Sequence, residues 1–176
     1  KAGDEFVNSG FQVVRVGKKA EEKFDTKNEK VLDYPFSNLR SDFLDIYLMK
    51  KSTAYFGSDS GIATGYQLFG KPTYCINCSL TLLNTNIVHY SGLFITKHLY
   101  SIKKDRFISL KEMFDFGMFG FKSSNQFAKH GIKNISNSQI ELQNFAKESI
   151  KDLKKENIFL TDDDKLQEKF WKIFFD

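Results

Sequence analysis

Cysteine and proline each occur only twice in the 176 residues, histidine occurs three times, and the only arginines are Arg15, Arg40 and Arg106. Two cysteines exclude a disulfide framework. So few arginines, with no stripe of basic and aromatic residues, exclude the usual surface of a nucleic-acid binder. No apolar run is long enough to cross a bilayer as a helix, and no signal-peptide pattern opens the chain, which starts at Lys1 rather than Met. A cytoplasmic location is expected. The lysine excess and a net charge of +4 describe a solvated surface that also steers anions or meets the inner face of a membrane, for example through Lys147, Lys151, Lys154 and Lys155.

What is present is apolar mass. Hydrophobic residues make up 41% of the chain, and 19 residues are phenylalanine, enough to build a core. Ala2 to Ser9 reads as a helix closed by Gly10. Phe11 to Val16 reads as a strand, Lys18 to Lys30 as a charged loop with a helical turn at Ala20 to Phe24, and Val31 to Tyr34 as a strand stopped by Pro35. A helix over Leu39 to Lys50, capped by Ser37 or Asn38, places Leu39, Phe43, Ile46 and Tyr47 on one face. Strands at Thr53 to Phe56 and Pro72 to Asn77 flank a short helix, Ile62 to Phe69.

Beyond Cys78 the pattern loosens. Leu80 to Tyr90 is ambiguous, Gly92 to Ile95 suits a short strand, and Phe116 to His130 reads as loop. Ser109 with Glu112, and Ser138 with Glu141, have capping-box spacing. The second box opens a helix with Ile140, Phe145, Ile150 and Leu153 as apolar positions. Thr161 with Asp164 opens a last helix, with Asp162 and Asp163 at its positive end and a terminal cluster from Phe170 and Trp171 through Ile173, Phe174 and Phe175. Strands alternating with helices predict an α/β fold, a Rossmann-like doubly wound, mostly parallel sheet over residues 1–135, with C-terminal helices over 136–176 packing on it.

The segment Gly57-Ser58-Asp59-Ser60-Gly61 sits where a strand hands over to a helix. Open α/β sheets bind ligands beyond the carboxyl ends of their strands, and a new helix offers unpaired amides to an anion. One reading makes Ser58, Asp59 or Ser60 a plain helix cap. The other makes the loop a diphosphate site, with the glycines admitting the phosphate and Asp59 accepting from a sugar hydroxyl or an amide. The loop is neither a Walker A loop nor Gly-x-Gly-x-x-Gly.

Gly57 to Pro72, with Asp59, Ser60, Gly61 and the later Gly70-Lys71-Pro72, resembles the donor-site motif of heptosyltransferase-like glycosyltransferases; where that family usually has a histidine, this chain has Thr64. A second resemblance covers Phe6 to about Phe114. Val13-Val14-Arg15-Val16-Gly17, then Ser41-Asp42-Phe43-Leu44-Asp45-Ile46-Tyr47-Leu48, then the glycine-serine loop are similar in order and spacing to a family of bacterial glycosyltransferases. The resemblance implies the GT-B fold of two Rossmann-like domains, this chain being the C-terminal, donor-binding half. It implies transfer from a nucleoside-diphosphate sugar to a glycan or other acceptor, as in surface polysaccharide biosynthesis, with the acceptor domain and a first strand lying outside this sequence. The donor-binding residues it implies are Arg15, Arg40, Asp45, Ser58, Asp59, Ser60, Gly61 and Ile62, with no metal or other cofactor and the general base in the other half.

Several side chains carry two readings. Arg15 either pairs with Asp33, Asp42 or Asp45, or reaches the diphosphate. Arg40 suits a surface salt bridge. Asp42 and Asp45 hold Arg15 or a ribose, or face solvent. Cys75 and Cys78 close a strand rather than open a helix, which disfavours redox and zinc chemistry, and His89, His98 and His130 lack ligand spacing. Two rival functions stand beside the glycosyltransferase. One is a hydrolase with Asp59 as nucleophile in a Gly-x-Asp-x-Gly elbow, served by His89 or His98. The other is a non-catalytic module that exposes its aromatic C-terminus to a partner.

Overall fold

The computed structural model describes residues 2–17, 20–24, 26, 28–79, 91–121, 123–156, 165, 166, 168–170 and 172. The expectations for Leu80 to Tyr90, including His89, and for Thr161 to Asp164, Trp171, Ile173, Phe174 and Phe175 fall outside these residues.

Helix α1 (Ala2–Asn8) ends where Gly10 adopts φ 95°, a left-handed conformation that glycine accepts without a Cβ clash. The Phe11 amide then donates to the Phe6 carbonyl at 3.0 Å and turns the chain into β1 (Val13–Arg15). Strand β2 (Val31–Asp33) pairs parallel to β1. Ala20 to Phe24 is not helical, contrary to expectation. That segment holds the strand ends instead: the Glu22 carbonyl accepts from Arg15 Nη1 at 2.8 Å, and the Phe24 amide donates to Asp33 at 2.6 Å.

Tyr34 leaves the strand for a 3-10 turn, Tyr34–Phe36, with Pro35 inside it. Its buried hydroxyl donates to the Ser41 carbonyl and accepts from the Ser41 amide, both at 3.1 Å. This grip delays α2 (Asp42–Lys51). Ser41 is its N-cap, accepting from the Leu44 amide at 3.2 Å, so neither Ser37 nor Asn38 caps the helix. Asp42 and Asp45 in the first turn and Lys50 and Lys51 in the last complement the helix dipole. The expected apolar face of α2 is largely exposed: Phe43 is 76% accessible, and Leu39, Ile46 and Tyr47 are also open.

Strands β3 (Tyr55–Ser58), β4 (Thr73–Cys78) and β5 (Phe94–Thr96) form one parallel sheet in that order, with α3 (Gly61–Leu68) linking the first two. Neighbouring strand residues point to opposite faces. Phe56 meets Phe6 of α1 at 5.1 Å between ring centroids, and Tyr55 meets Tyr66 of α3 at 4.9 Å. So α1 covers one face and α3 the other. Helix α6 (Gln139–Leu153) joins α1, setting Phe145 5.7 Å from Phe56. Helix α2 joins α3, where Gly65 leaves room for the Met49 sulfur. The protein is a mixed α/β fold with parallel sheets.

Strands β6 (His98–Ser101), β7 (Arg106–Phe107) and β8 (Ile132–Ile135) build a separate antiparallel sheet, ordered β7-β6-β8. With α4 (Leu110–Asp115) and α5 (Ser124–Lys129) they enclose a core of Leu99, Met113, Met118, Phe127 and Ile132. The stretch expected as loop therefore contains a 3-10 turn, Met118–Gly120, and α5. Its glycine and serine are termini rather than breaks: Gly117 turns the chain at φ 62°, and Ser123 caps α5 with Gln126 in a capping box. The boxes at Ser109 and Glu112 and at Ser138 and Glu141 form as the spacing predicts. In α6, Phe145 and Ile150 are buried, whereas Ile140 is exposed.

Candidate functional site at the carboxyl end of β3

Gly57 is explained by its neighbour two residues back. A Cβ there would lie 2.5 Å from the Tyr55 hydroxyl, which crosses the position to donate to the Ser58 carbonyl at 3.0 Å. The expectation that Gly57 admits a phosphate is therefore corrected: it admits Tyr55. Gly61 differs. It opens α3, it is exposed, and nothing lies within 4 Å of where its Cβ would be.

Ser60 occupies the N-cap position with extended φ −159° and ψ 170°, yet its side chain makes no capping hydrogen bond. It sits beside the Tyr55 hydroxyl instead. The first amides of α3 thus lack the side-chain acceptor that Ser41, Ser109 and Ser138 give their own helices. Ser58 is exposed, and Ile62 is half-buried in the first turn. Asp59 is half-buried, and burial raises its carboxyl pKa. Its charge acts on the buried Cys75 and Cys78 thiols of β4.

Arg15, at the carboxyl end of β1, takes the ion-pair alternative with Asp33. Its Nη1 lies 3.3 Å from both carboxylate oxygens, and its guanidinium sits 5.7 and 5.9 Å from the Phe24 and Phe36 rings. Asp42 and Asp45 are not its partners. Arg15 and Ser58 line one cleft of 820 Å³, so β1 and β3 share a space at their carboxyl ends. Arg40 and Asp45 lie elsewhere, around the Tyr34 hydroxyl; burial first, and then Asp45, raise the pKa of that phenol, while Arg40 opposes. Sequence reasoning brought Arg40 and Asp45 to the loop. The structure gives them to the start of α2.

Sequence reasoning missed Tyr55, which shapes the loop from below. The signal was present, since alternate strand residues share a face and a tyrosine two before a glycine can lie across it. It also missed the contact between His98 Nε2 and Glu141 at 2.6 Å. Neither described histidine contacts Asp59: His98 pairs with Glu141, and His130 stacks on Phe121. Cys78 donates to Cys75, which lowers the Cys75 pKa and, with burial, raises that of Cys78; both are free thiols. Among the described residues no group of three or more His, Cys, Asp or Glu is placed to hold a metal ion, and no helix is long and apolar enough to cross a membrane.

No protein-family model, no curated protein and no solved structure matches this chain.

Proposed function

We propose that the protein is the donor-binding half of a glycosyltransferase, a Rossmann-like doubly wound domain that holds a nucleoside-diphosphate sugar at the carboxyl ends of β1 and β3. The observation that carries this reading is the amino end of α3. It follows a parallel strand, its N-cap serine leaves the first-turn amides without a side-chain acceptor, and Gly61 keeps the approach open. Such an end carries about half a positive charge and directs amides at an anion.

The diphosphate accepts from the Gly61 and Ile62 amides, with the Ser58 and Ser60 hydroxyls beside them. Arg15 acts across the shared cleft, its charge already partly balanced by Asp33. Its part is to hold the wall of the site and add field at the leaving diphosphate. The half-buried Asp59 carboxylate accepts from a sugar hydroxyl. The sugar's anomeric carbon then faces an acceptor hydroxyl presented by another domain, which also supplies the general base. Cytoplasmic residence, with the lysines of α6 meeting the membrane's inner face, belongs to the same proposal.

Calorimetric titration with UDP, GDP and ADP sugars tests it, a CMP sugar serving as the monophosphate comparison. The expected result is saturable binding of at least one diphosphate donor and weaker binding of the monophosphate. A folded protein that binds none of the diphosphate donors contradicts the proposal.

A further inference from the structure

Helix α2 carries apolar side chains on both of its faces, yet none of its residues is buried. Its inner face is accounted for: Met49 lies against Gly65 of α3, and Leu48 lines the cleft shared by β1 and β3. At about 3.6 residues per turn, Phe43, Ile46, Tyr47 and Lys50 fall on the opposite face, at the i, i+3, i+4, i+7 spacing of a helix seam. All four are exposed. Phe43 and Tyr47 stack on each other with ring centroids 6.1 Å apart, so the row is ordered before anything covers it. Single apolar residues on a surface are ordinary, whereas a row of them along one helix marks a contact.

The charges at the ends of this row say what covers it. Asp42 stands at its start and Lys50 at its end, both exposed. Among the described residues neither has an ion-pair partner. Asp45, by contrast, is engaged by the Tyr34 hydroxyl, and Lys51 Nζ lies 5.9 Å from the centroid of the Tyr47 ring.

We infer that the outer face of α2 is a two-fold interface with a second copy of this chain, the two α2 helices packing antiparallel. Centred on Ile46, this arrangement sets Asp42 of each copy beside Lys50 of the other, and Phe43 of each beside Tyr47 of the other. One symmetric contact then forms the same ion pair twice and covers all the exposed rings. It also lays the negative end of each helix dipole beside the positive end of the other. A parallel copy would set carboxylate against carboxylate and ammonium against ammonium. A different partner would have to carry the reverse charge order along its own apolar face, whereas a second copy carries it by symmetry. One ten-residue helix from each copy makes a small interface, so the association is weak and depends on concentration. This inference stands on α2 and not on the donor reading.

Sedimentation velocity of the full chain, over about a hundredfold range of concentration, tests it. The unmodified chain is expected to dimerise reversibly. Asp42→Lys sets like charges together at both ends of the contact, and so does Lys50→Asp. Each alone is expected to weaken the dimer by about tenfold or more. An equimolar mixture of the two variants is expected to restore it, because each chain then supplies the charge that the other lacks. Phe43→Ser, which alters no charge, is expected to weaken the dimer by a similar factor. All three positions are exposed, so the variants keep the fold, which circular dichroism verifies. An unmodified chain that stays monomeric throughout, variants that dimerise as it does, or a mixture that stays monomeric overturns the inference.

Discussion

Two glycines in one loop have opposite reasons for being glycine. Gly57 yields its side-chain space to the Tyr55 hydroxyl, whereas the space in front of Gly61 is empty. The sequence presents them as a symmetric pair, and only the fold separates them. Asp59 shows the same limit. Its position was legible, but its partial burial is set by the fold around the loop. Because burial raises the Asp59 pKa, the folded state favours the protonated carboxyl. That contribution is fully present below the ordinary carboxylate pKa and is lost as pH rises through the raised value. Asp59→Asn is therefore expected to raise the melting temperature at pH 7 and to lose that advantage in acid. Thermal unfolding of both proteins between pH 3 and pH 7 checks this, and an equal difference at every pH contradicts it. Arg15 is legible as a charge needing a partner. Asp33 is that partner because it stands opposite in the β1–β2 register.

At the scale of elements, caps were legible and starts were not always. Both capping boxes named from spacing form, because their reciprocal hydrogen bonds involve only residues three apart. The start of α2 was misplaced because a distant side chain, Tyr34, fixes the Ser41 backbone. The α5 region offers no periodicity to detect, because so short a helix is marked only by its termini. Glu141 serves two elements: its bonds to Ser138, then that to His98, hold its pKa down to about 2. A depressed carboxyl gives stability that is present above its ordinary pKa and lost as pH falls toward the lowered value. Ser138→Ala is expected to cost about 1 kcal/mol at neutral pH, and less at pH 2 to 3, measured by urea unfolding. The join between β4 and β5 is stricter. Gly92 adopts φ 128°, and a Cβ there would lie 2.3 Å from the Thr73 carbonyl oxygen. Gly92→Ala is expected to destabilise by more than about 2 kcal/mol and to expose the β5 amides to exchange first.

For the whole molecule, strand-helix alternation in the first half correctly indicated parallel pairing, but the antiparallel sheet of β6, β7 and β8 was not foreseen. Its strands are short and belong to a second core, and no local pattern marks where one core ends. A three-point brace ties the two halves. The Asn77 and Asn137 side chains accept from each other's backbone amides at 2.7 and 2.8 Å, and Asn137 Nδ2 donates to the Thr96 carbonyl at 2.8 Å. Asn137→Ala removes the two bonds made by its side chain at a buried position and keeps the one its backbone amide donates to Asn77, and a loss of about 2 to 3 kcal/mol is expected in chemical unfolding.

The donor reading rests on the amides that open α3, and Gly61→Pro isolates them. Proline is accepted at the first helical position, and Ser60 before it already has the extended backbone that proline requires. The substitution therefore keeps the helix and removes one N–H. Calorimetric titration of both proteins with the diphosphate sugar that binds best is the most direct measurement. The account predicts an unchanged melting temperature and an affinity about tenfold or more lower in the variant, the worth of one hydrogen bond to a charged group. Equal affinity in the two proteins, or no binding of any diphosphate sugar to the folded chain, would contradict it.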